Sequence, residues 1–81
     1  METRVAVISI IVENPEAVAK LNTLLHNYSR FIIGRMGIPY REKGISIISV
    51  AMDAPTDTIN ALTGVLGRIE GVVAKAAYSR T

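Results

Sequence analysis

The sequence predicts an α+β fold in which one four-stranded antiparallel sheet carries two helices on a single face. Three observations lead to this prediction. Four segments are rich in β-branched residues, two other segments carry apolar residues at helical spacing, and together they follow the order βαββαβ. This order is typical of the ferredoxin-like fold. Because 81 residues suffice for one domain only, we expect a single domain over residues 1–81.

The first half of the chain predicts a strand, a helix and a second strand. Residues 4–12 are apolar on both faces and are followed by polar residues, which is typical of a central strand. A helix is predicted over residues 15–29, because Asn14 can cap it and Pro15 suits its first position. Residues 30–40 contain two glycines, a proline and several β-branched residues, and this composition favours a strand.

The second half predicts a hairpin turn, a third strand, a second helix and a last strand. Residues 41–44 are polar and end in Gly44, which suits the positive-φ position of the turn. Strands are predicted over residues 45–52 and 72–78. The helix between them carries four core-facing residues at helical spacing, Ile59, Leu62, Leu66 and Ile69. Two glycines inside this helix, Gly64 and Gly67, weaken it, so we expect close packing to compensate at both positions.

The central strands are apolar on both sides. The alternating sets are Val5, Val7, Ser9 and Ile11 against Ala6, Ile8, Ile10 and Val12 in the first strand, and Ile45, Ile47, Ser49 and Ala51 against Ser46, Ile48, Val50 and Met52 in the third. Two helices cover one face only, so the other face needs a different cover. We therefore expect a homo-oligomer, a dimer or tetramer, formed through the open sheet face. The alternative is a modest exposed apolar patch.

Composition excludes several kinds of chemistry. The chain has no cysteine, so disulfides, iron–sulfur ligation and thiol catalysis are excluded for the isolated chain. Nine basic and seven acidic residues give a net charge of +2, and the basic residues form no block. No apolar run approaches the roughly 18 residues of a transmembrane span, and the N-terminal segment does not resemble a signal peptide. We therefore expect a cytoplasmic protein with no membrane partner.

His26 is the single histidine and lies late in the first predicted helix. Three functions suit such a residue: metal ligand, proton switch or ligand contact. The alternative is a surface histidine near a helix C-terminus, where the helix dipole favours its charge. A metal site would need His26 from several subunits, because the chain offers no cysteine and no second histidine, and we predict none.

Arg35 stands inside an otherwise apolar predicted strand, between Gly34 and Met36. A buried or half-buried arginine needs a partner, and its planar fork suits a carboxylate or a phosphate. Two interpretations stay open. Arg35 is an anion-binding position, or it forms a salt bridge to Glu13, to Asp53 or to an acid of a neighbouring subunit.

Tyr40 and Arg41 stand at the mouth of the predicted hairpin. Together with Arg35 they offer stacking and charge to a ligand, and the alternative is a solvated turn. The candidate ligand-binding residues are therefore His26, Arg35, Tyr40 and Arg41, while the sequence specifies no cofactor. We identify no catalytic set of serine, histidine and acid and no paired carboxylates, so we expect a protein that is not an enzyme.

Two segments resemble a known family. Residues 24–40, LLHNYSRFIIGRMGIPY, look like the characteristic segment of a small family of regulators of the iron-only hydrogenase system, and residues 57–75 are similar to its second helix and last strand. The family is related in fold to ACT domains and to the C-terminal domain of nickel-responsive repressors. The resemblance implies an ACT-like domain whose sheets pair side by side or face to face, often in tetramers, with small ligands at subunit interfaces.

The chain departs from those relatives where they bind their ligands. Nickel repressors hold the metal with several histidines and a cysteine, and this chain has one histidine and no cysteine. Amino-acid-binding ACT domains carry a glycine in the loop after the first strand, where this chain has Glu13, Asn14 and Pro15. The resemblance therefore implies neither a nickel site of that type nor an amino-acid site at the usual place.

Together, these observations favour a non-enzymatic regulatory domain that senses a ligand, forms homo-oligomers and docks onto other proteins, with a link to transcription as one option. A nucleic-acid-binding module and a structural assembly domain are the alternatives. Direct nucleic-acid binding is disfavoured, because RNA-binding sheets display paired aromatic residues. The aromatic residues of this chain, which show no such pairing, are Tyr28, Phe31, Tyr40 and Tyr78.

Overall fold

The computed structural model describes residues 2–80 and has the predicted order of elements. The strands are β1 (Arg4–Val12), β2 (Ile32–Tyr40), β3 (Ile45–Ala54) and β4 (Val72–Tyr78), and the helices are α1 (Val18–Asn27) and α2 (Thr56–Gly67). The strands form one sheet in the order β2-β3-β1-β4, and every neighbouring pair is antiparallel. The predicted ferredoxin-like α+β fold is confirmed.

Helix α1 begins and ends differently from the prediction. The Asn14 side chain accepts a hydrogen bond from the Glu16 amide at 3.1 Å, so the predicted cap is confirmed. The first turn is 3₁₀, Pro15–Ala17, and regular α-helix ends at Asn27 rather than at residue 29. A second 3₁₀ turn, Ser29–Phe31, then leads into β2, which therefore begins two residues later than predicted.

The core lies between the helices and one face of the sheet. In β1, Ala6, Ile8, Ile10 and Val12 are buried, while the alternating set is exposed. The four residues predicted to face the core from the second helix are all buried, three of them in α2 and Ile69 just after its end: Ile59, Leu62, Leu66 and Ile69. Within residues 2–80 every buried side chain is apolar. The helix-covered face thus accounts for one of the two apolar sets in each central strand.

Glycine is required at two turns. Gly44 closes the β2–β3 hairpin with a φ of 64°, as predicted. Gly71, before β4, has a φ of 81°, and a Cβ built there would lie 2.5 Å from the Asn14 Cβ. The expectation of close packing at Gly64 and Gly67 is wrong within one chain, because a Cβ at either position would meet no heavy atom within 4 Å beyond the neighbouring backbone of its own helix.

Candidate functional site

The face of the sheet opposite the helices is apolar and exposed. Among residues 2–80, nine large apolar side chains are well exposed, and eight of them lie on this face: Val5, Val7, Ile11, Met36, Ile38, Tyr40, Ile47 and Val73. We call it the open face. The ninth, Ile33, belongs to the irregularity between Ile32 and Gly34 and has no cross-strand partner in the β2–β3 register.

The strand register arranges the open face in three rows that cross all four strands. One row is tall and β-branched throughout, and we call it the ridge: Ile38, Ile47, Ile11 and Val73. The middle row is mainly polar: Met36, Ser49, Ser9 and Lys75. The third row carries small residues except for Val7, and we call it the valley: Gly34, Ala51, Val7 and Ala77. A tall apolar row and a low apolar row therefore flank the serines.

A separate cleft of about 400 Å³ lies between α1 and β2. Its lining residues are Asn22, Leu25, His26, Ser29, Ile32 and Arg35. We call it the α1–β2 cleft. Asn22 and His26 stand four residues apart on α1, so they share one side of the helix. Arg35 reaches the cleft because it pairs with buried Val50 and therefore lies on the helix side of the sheet.

Arg35 is exposed, which corrects the expectation of a buried or half-buried arginine. The reason is strand order: β2 forms an edge of the sheet, so Arg35 extends past the core toward α1. Its Nη2 donates a hydrogen bond to the Asn22 Oδ1 at 2.9 Å. The partner within the chain is thus a neutral amide and not the carboxylate of Glu13 or Asp53.

His26 lies in the last turn of α1, is exposed and lines the α1–β2 cleft with Arg35. The structure therefore brings two of the four predicted ligand-binding residues together. Within residues 2–80 no group of three or more histidine, cysteine, aspartate or glutamate side chains is arranged to hold a metal ion.

Tyr40 and Arg41 lie elsewhere. Tyr40 is on the open face, paired with Ile45, and its hydroxyl donates to the Glu42 Oε2 at 3.3 Å. Arg41 begins the 3₁₀ turn of the hairpin. Tyr40 lies five residues from Arg35 along the same strand, a distance of about 17 Å. Neither Tyr40 nor Arg41 therefore lines the cleft.

Asn22 and Ser29 are cleft residues that the sequence-based prediction did not include. Their spacing from His26 in the sequence indicated in part that they belong to the same site. Asn22 precedes His26 by four positions and Ser29 follows it by three, which are the spacings of neighbours on a helix face. The local sequence does not show that this helix face packs against β2.

The ionisable groups that line the α1–β2 cleft are all basic. Its lining includes Arg35 and the ionisable imidazole of His26, the amide of Asn22 and the hydroxyl of Ser29, and it includes no carboxylate. A smaller groove of about 170 Å³ continues along α1 and β2 and shares Asn22 and Arg35 with the cleft. The hydrogen bond between these two residues therefore stands at the boundary between two spaces.

Fold and surface together define a small ferredoxin-like domain with an open apolar sheet face and a basic cleft. Residues 4–76 match the model of the TM1266-like family, whose description is "Iron-only hydrogenase system regulator, putative". The chain belongs to this family, which confirms the resemblance seen in the sequence. It is also similar to a solved structure, the uncharacterized protein TM1266 from Thermotoga maritima, with 39% identity and a TM-score of 0.93 over 98% of this chain and 100% of that one.

No curated protein matches the chain. Among residues 2–80, neither helix is long and apolar enough to cross a membrane.

Proposed function

We propose that this chain is a non-catalytic regulatory domain that works in the cytoplasm as a homo-oligomer and senses a small ligand in the α1–β2 cleft. Membership in a family described as regulators of the iron-only hydrogenase system supports the regulatory role. The observation that carries the proposal is the open face, because it requires a cover that one chain of this fold does not supply.

A second copy is the occupant that the row pattern of the open face favours. A two-fold axis along the middle row, across the strands, would exchange ridge and valley between two copies. Ile47 would then face Ala51 of the partner subunit, and Ile38 would face Gly34 of the partner subunit. Tall residues would meet small ones, which is the arrangement that fills space between stacked sheets about 10 Å apart.

The remaining side chains of the open face suit a protein partner better than a nucleic acid. Lys75 is the single basic residue in the three rows, and Tyr40, beyond them, is the one aromatic residue of the face. Nucleic-acid-binding sheets need several of each, to neutralise phosphates and to stack bases.

Self-association through the open face is tested by Ile47→Glu. Ile47 is 42% exposed in the single chain, so a glutamate there is tolerated by the monomer and leaves the core intact. Stacked against another copy, the same carboxylate would be desolvated without a partner, which costs several kcal/mol. We expect light scattering to report an oligomer for the unchanged protein and a monomer for the variant, with equal far-ultraviolet circular dichroism.

The matched control is Ile33→Glu, the same substitution at an apolar residue that is 64% exposed but outside the three rows. We expect this variant to keep the oligomeric state. A monomeric unchanged protein at micromolar concentration would contradict the proposal. An oligomer that Ile33→Glu disrupts and Ile47→Glu does not would move the interface to the edge of β2.

A further inference from the structure

We infer that the α1–β2 cleft binds a small oxyanion, a carboxylate or a phosphate, through Arg35 and His26. This inference rests on the proposed sensing role and names the ligand class for it. The first argument is the set of charges. The two ionisable groups of the lining are an arginine and a histidine, and the lining carries no carboxylate that would neutralise them.

The second argument is the way Arg35 is held. Asn22 accepts one hydrogen bond from Nη2 at 2.9 Å, which orients the guanidinium without cancelling its charge. A guanidinium has five N–H donors in a planar fork, so one bond to an amide leaves donors for an anion. The salt bridge to Glu13 or Asp53, one of the two interpretations that the sequence left open, would have neutralised the charge of Arg35, whereas the Asn22 amide leaves that charge intact.

The third argument is the supply of further donors and the size of the space. The Asn22 amide nitrogen and the Ser29 hydroxyl can donate to an oxyanion beside Arg35, and the His26 imidazole can donate through a protonated nitrogen. Leu25 and Ile32 provide an apolar wall for a short hydrocarbon portion. A cleft of about 400 Å³ falls within the size range of small-molecule sites.

The experiment is isothermal titration calorimetry with three probes at constant ionic strength: inorganic phosphate, butyrate and butyramide. Butyramide has nearly the shape of butyrate and no charge, so the comparison isolates the contribution of the anion. We expect phosphate or butyrate to bind and butyramide to give no measurable heat. Phosphate binding alone assigns a phosphate ligand, and butyrate binding alone assigns a carboxylate.

Asn22→Asp is the sharpest variant, because it places a carboxylate of the same shape beside Arg35 and fills the anion position from within. Losing a hydrogen bond to a charged group weakens binding by about tenfold or more, and we expect at least that loss for the bound anion. Asn27→Asp is the control: the same charge change on the same helix, at a residue outside the cleft lining. It keeps the affinity within about twofold.

Arg35→Met removes the guanidinium and keeps much of the side-chain length, and Arg41→Met is its control in the turn of the hairpin, outside the cleft lining. We expect only Arg35→Met to abolish anion binding.

Light scattering on the same samples separates the anion-site proposal from the self-association proposal. If the protein is an oligomer and no anion binds, or if Asn22→Asp and Arg35→Met leave anion affinity unchanged, the anion site is wrong and self-association stands. If Arg35→Met dissociates an oligomer that binds no anion, Arg35 belongs to an interface and the inference is overturned.

Discussion

At the scale of single residues, Gly71 is the glycine with the least room for a side chain. Its φ of 81° lies in the left-handed region, which costs a residue with a Cβ about 1–2 kcal/mol. Its carbonyl also accepts a hydrogen bond from the Glu13 amide at 2.6 Å, so two loops are tied together at this point. Backbone conformation and close approach therefore require glycine for independent reasons.

We expect Gly71→Ala to lower the free energy of unfolding by about 2–5 kcal/mol, the sum of the left-handed penalty and an overpacking penalty. The new Cβ would meet the Asn14 Cβ at 2.5 Å, and that atom has no freedom to swing away. Urea unfolding at one fixed protein concentration measures the change.

Gly64→Ala is the control for this prediction. Gly64 lies inside α2, its new Cβ would meet nothing within 4 Å beyond the neighbouring backbone of that helix, and alanine is the better helix former by about 1 kcal/mol. We expect this variant to be more stable than the unchanged protein. Equal stability of Gly71→Ala and the unchanged protein would contradict both the left-handed penalty and the overpacking penalty.

At the scale of elements, the start of α1 depends on one side chain. The Asn14 Oδ1 accepts from the Glu16 amide, and Pro15 occupies the first position, where no N–H is needed. We expect Asn14→Ala to cost about 1 kcal/mol of unfolding free energy, and Asn14→Asp to retain most of it, because both asparagine and aspartate are good caps. Thermal unfolding of the two variants side by side measures the difference, and equal losses in both would show that the cap is not the cause.

Strand and helix positions were predictable where a local signal marks the boundary. The predicted ranges of β1 and β4 agree with the structure at both ends, because polar residues or glycine stand beside each. The end of α1 was predicted two residues late. Tyr28, with φ of −105° and ψ of 12°, leaves the helix without any glycine or proline to announce it.

The candidate site was predictable only in part, because it depends on which strands are neighbours. Local pattern shows that Arg35 interrupts an apolar strand, but only the order β2-β3-β1-β4 places that strand at an edge. This edge position explains why Arg35 is exposed and why it meets Asn22 on α1. It also explains why Tyr40, on the other side of the same strand, faces the open face.

At the scale of the whole molecule, the two surfaces share one strand. Arg35 lies on the helix side of β2, whereas Gly34, Met36 and Ile38 lie on the open face. A ligand that orders Arg35 therefore acts on a strand that also contributes to the ridge and the valley. A regulatory domain needs such a connection between ligand site and interface, because a ligand shifts an equilibrium only through different affinity for its two states.

The stacking of ridge on valley is tested by exchanging one pair of residues. Ile47→Ala removes a tall side chain and leaves a void at the interface, and Ala51→Ile places a second tall side chain opposite the first. Each change alone should weaken association by about tenfold or more, through a cavity in one case and overpacking in the other. Both residues lie on β3, an inner strand of the sheet, where sheet twist displaces facing partners less than it does at the edge strands.

The double variant Ile47→Ala with Ala51→Ile should recover most of the lost affinity, because the proposed two-fold axis would bring position 47 of one copy over position 51 of the other. Sedimentation equilibrium of the four proteins completes a double-mutant cycle, and the coupling energy should be favourable. Additive losses would exclude this register while leaving the open face as an interface. Because both residues are on the exposed side of the same strand, the monomer's own core is the same in all four proteins, and any difference reports on the contact between copies.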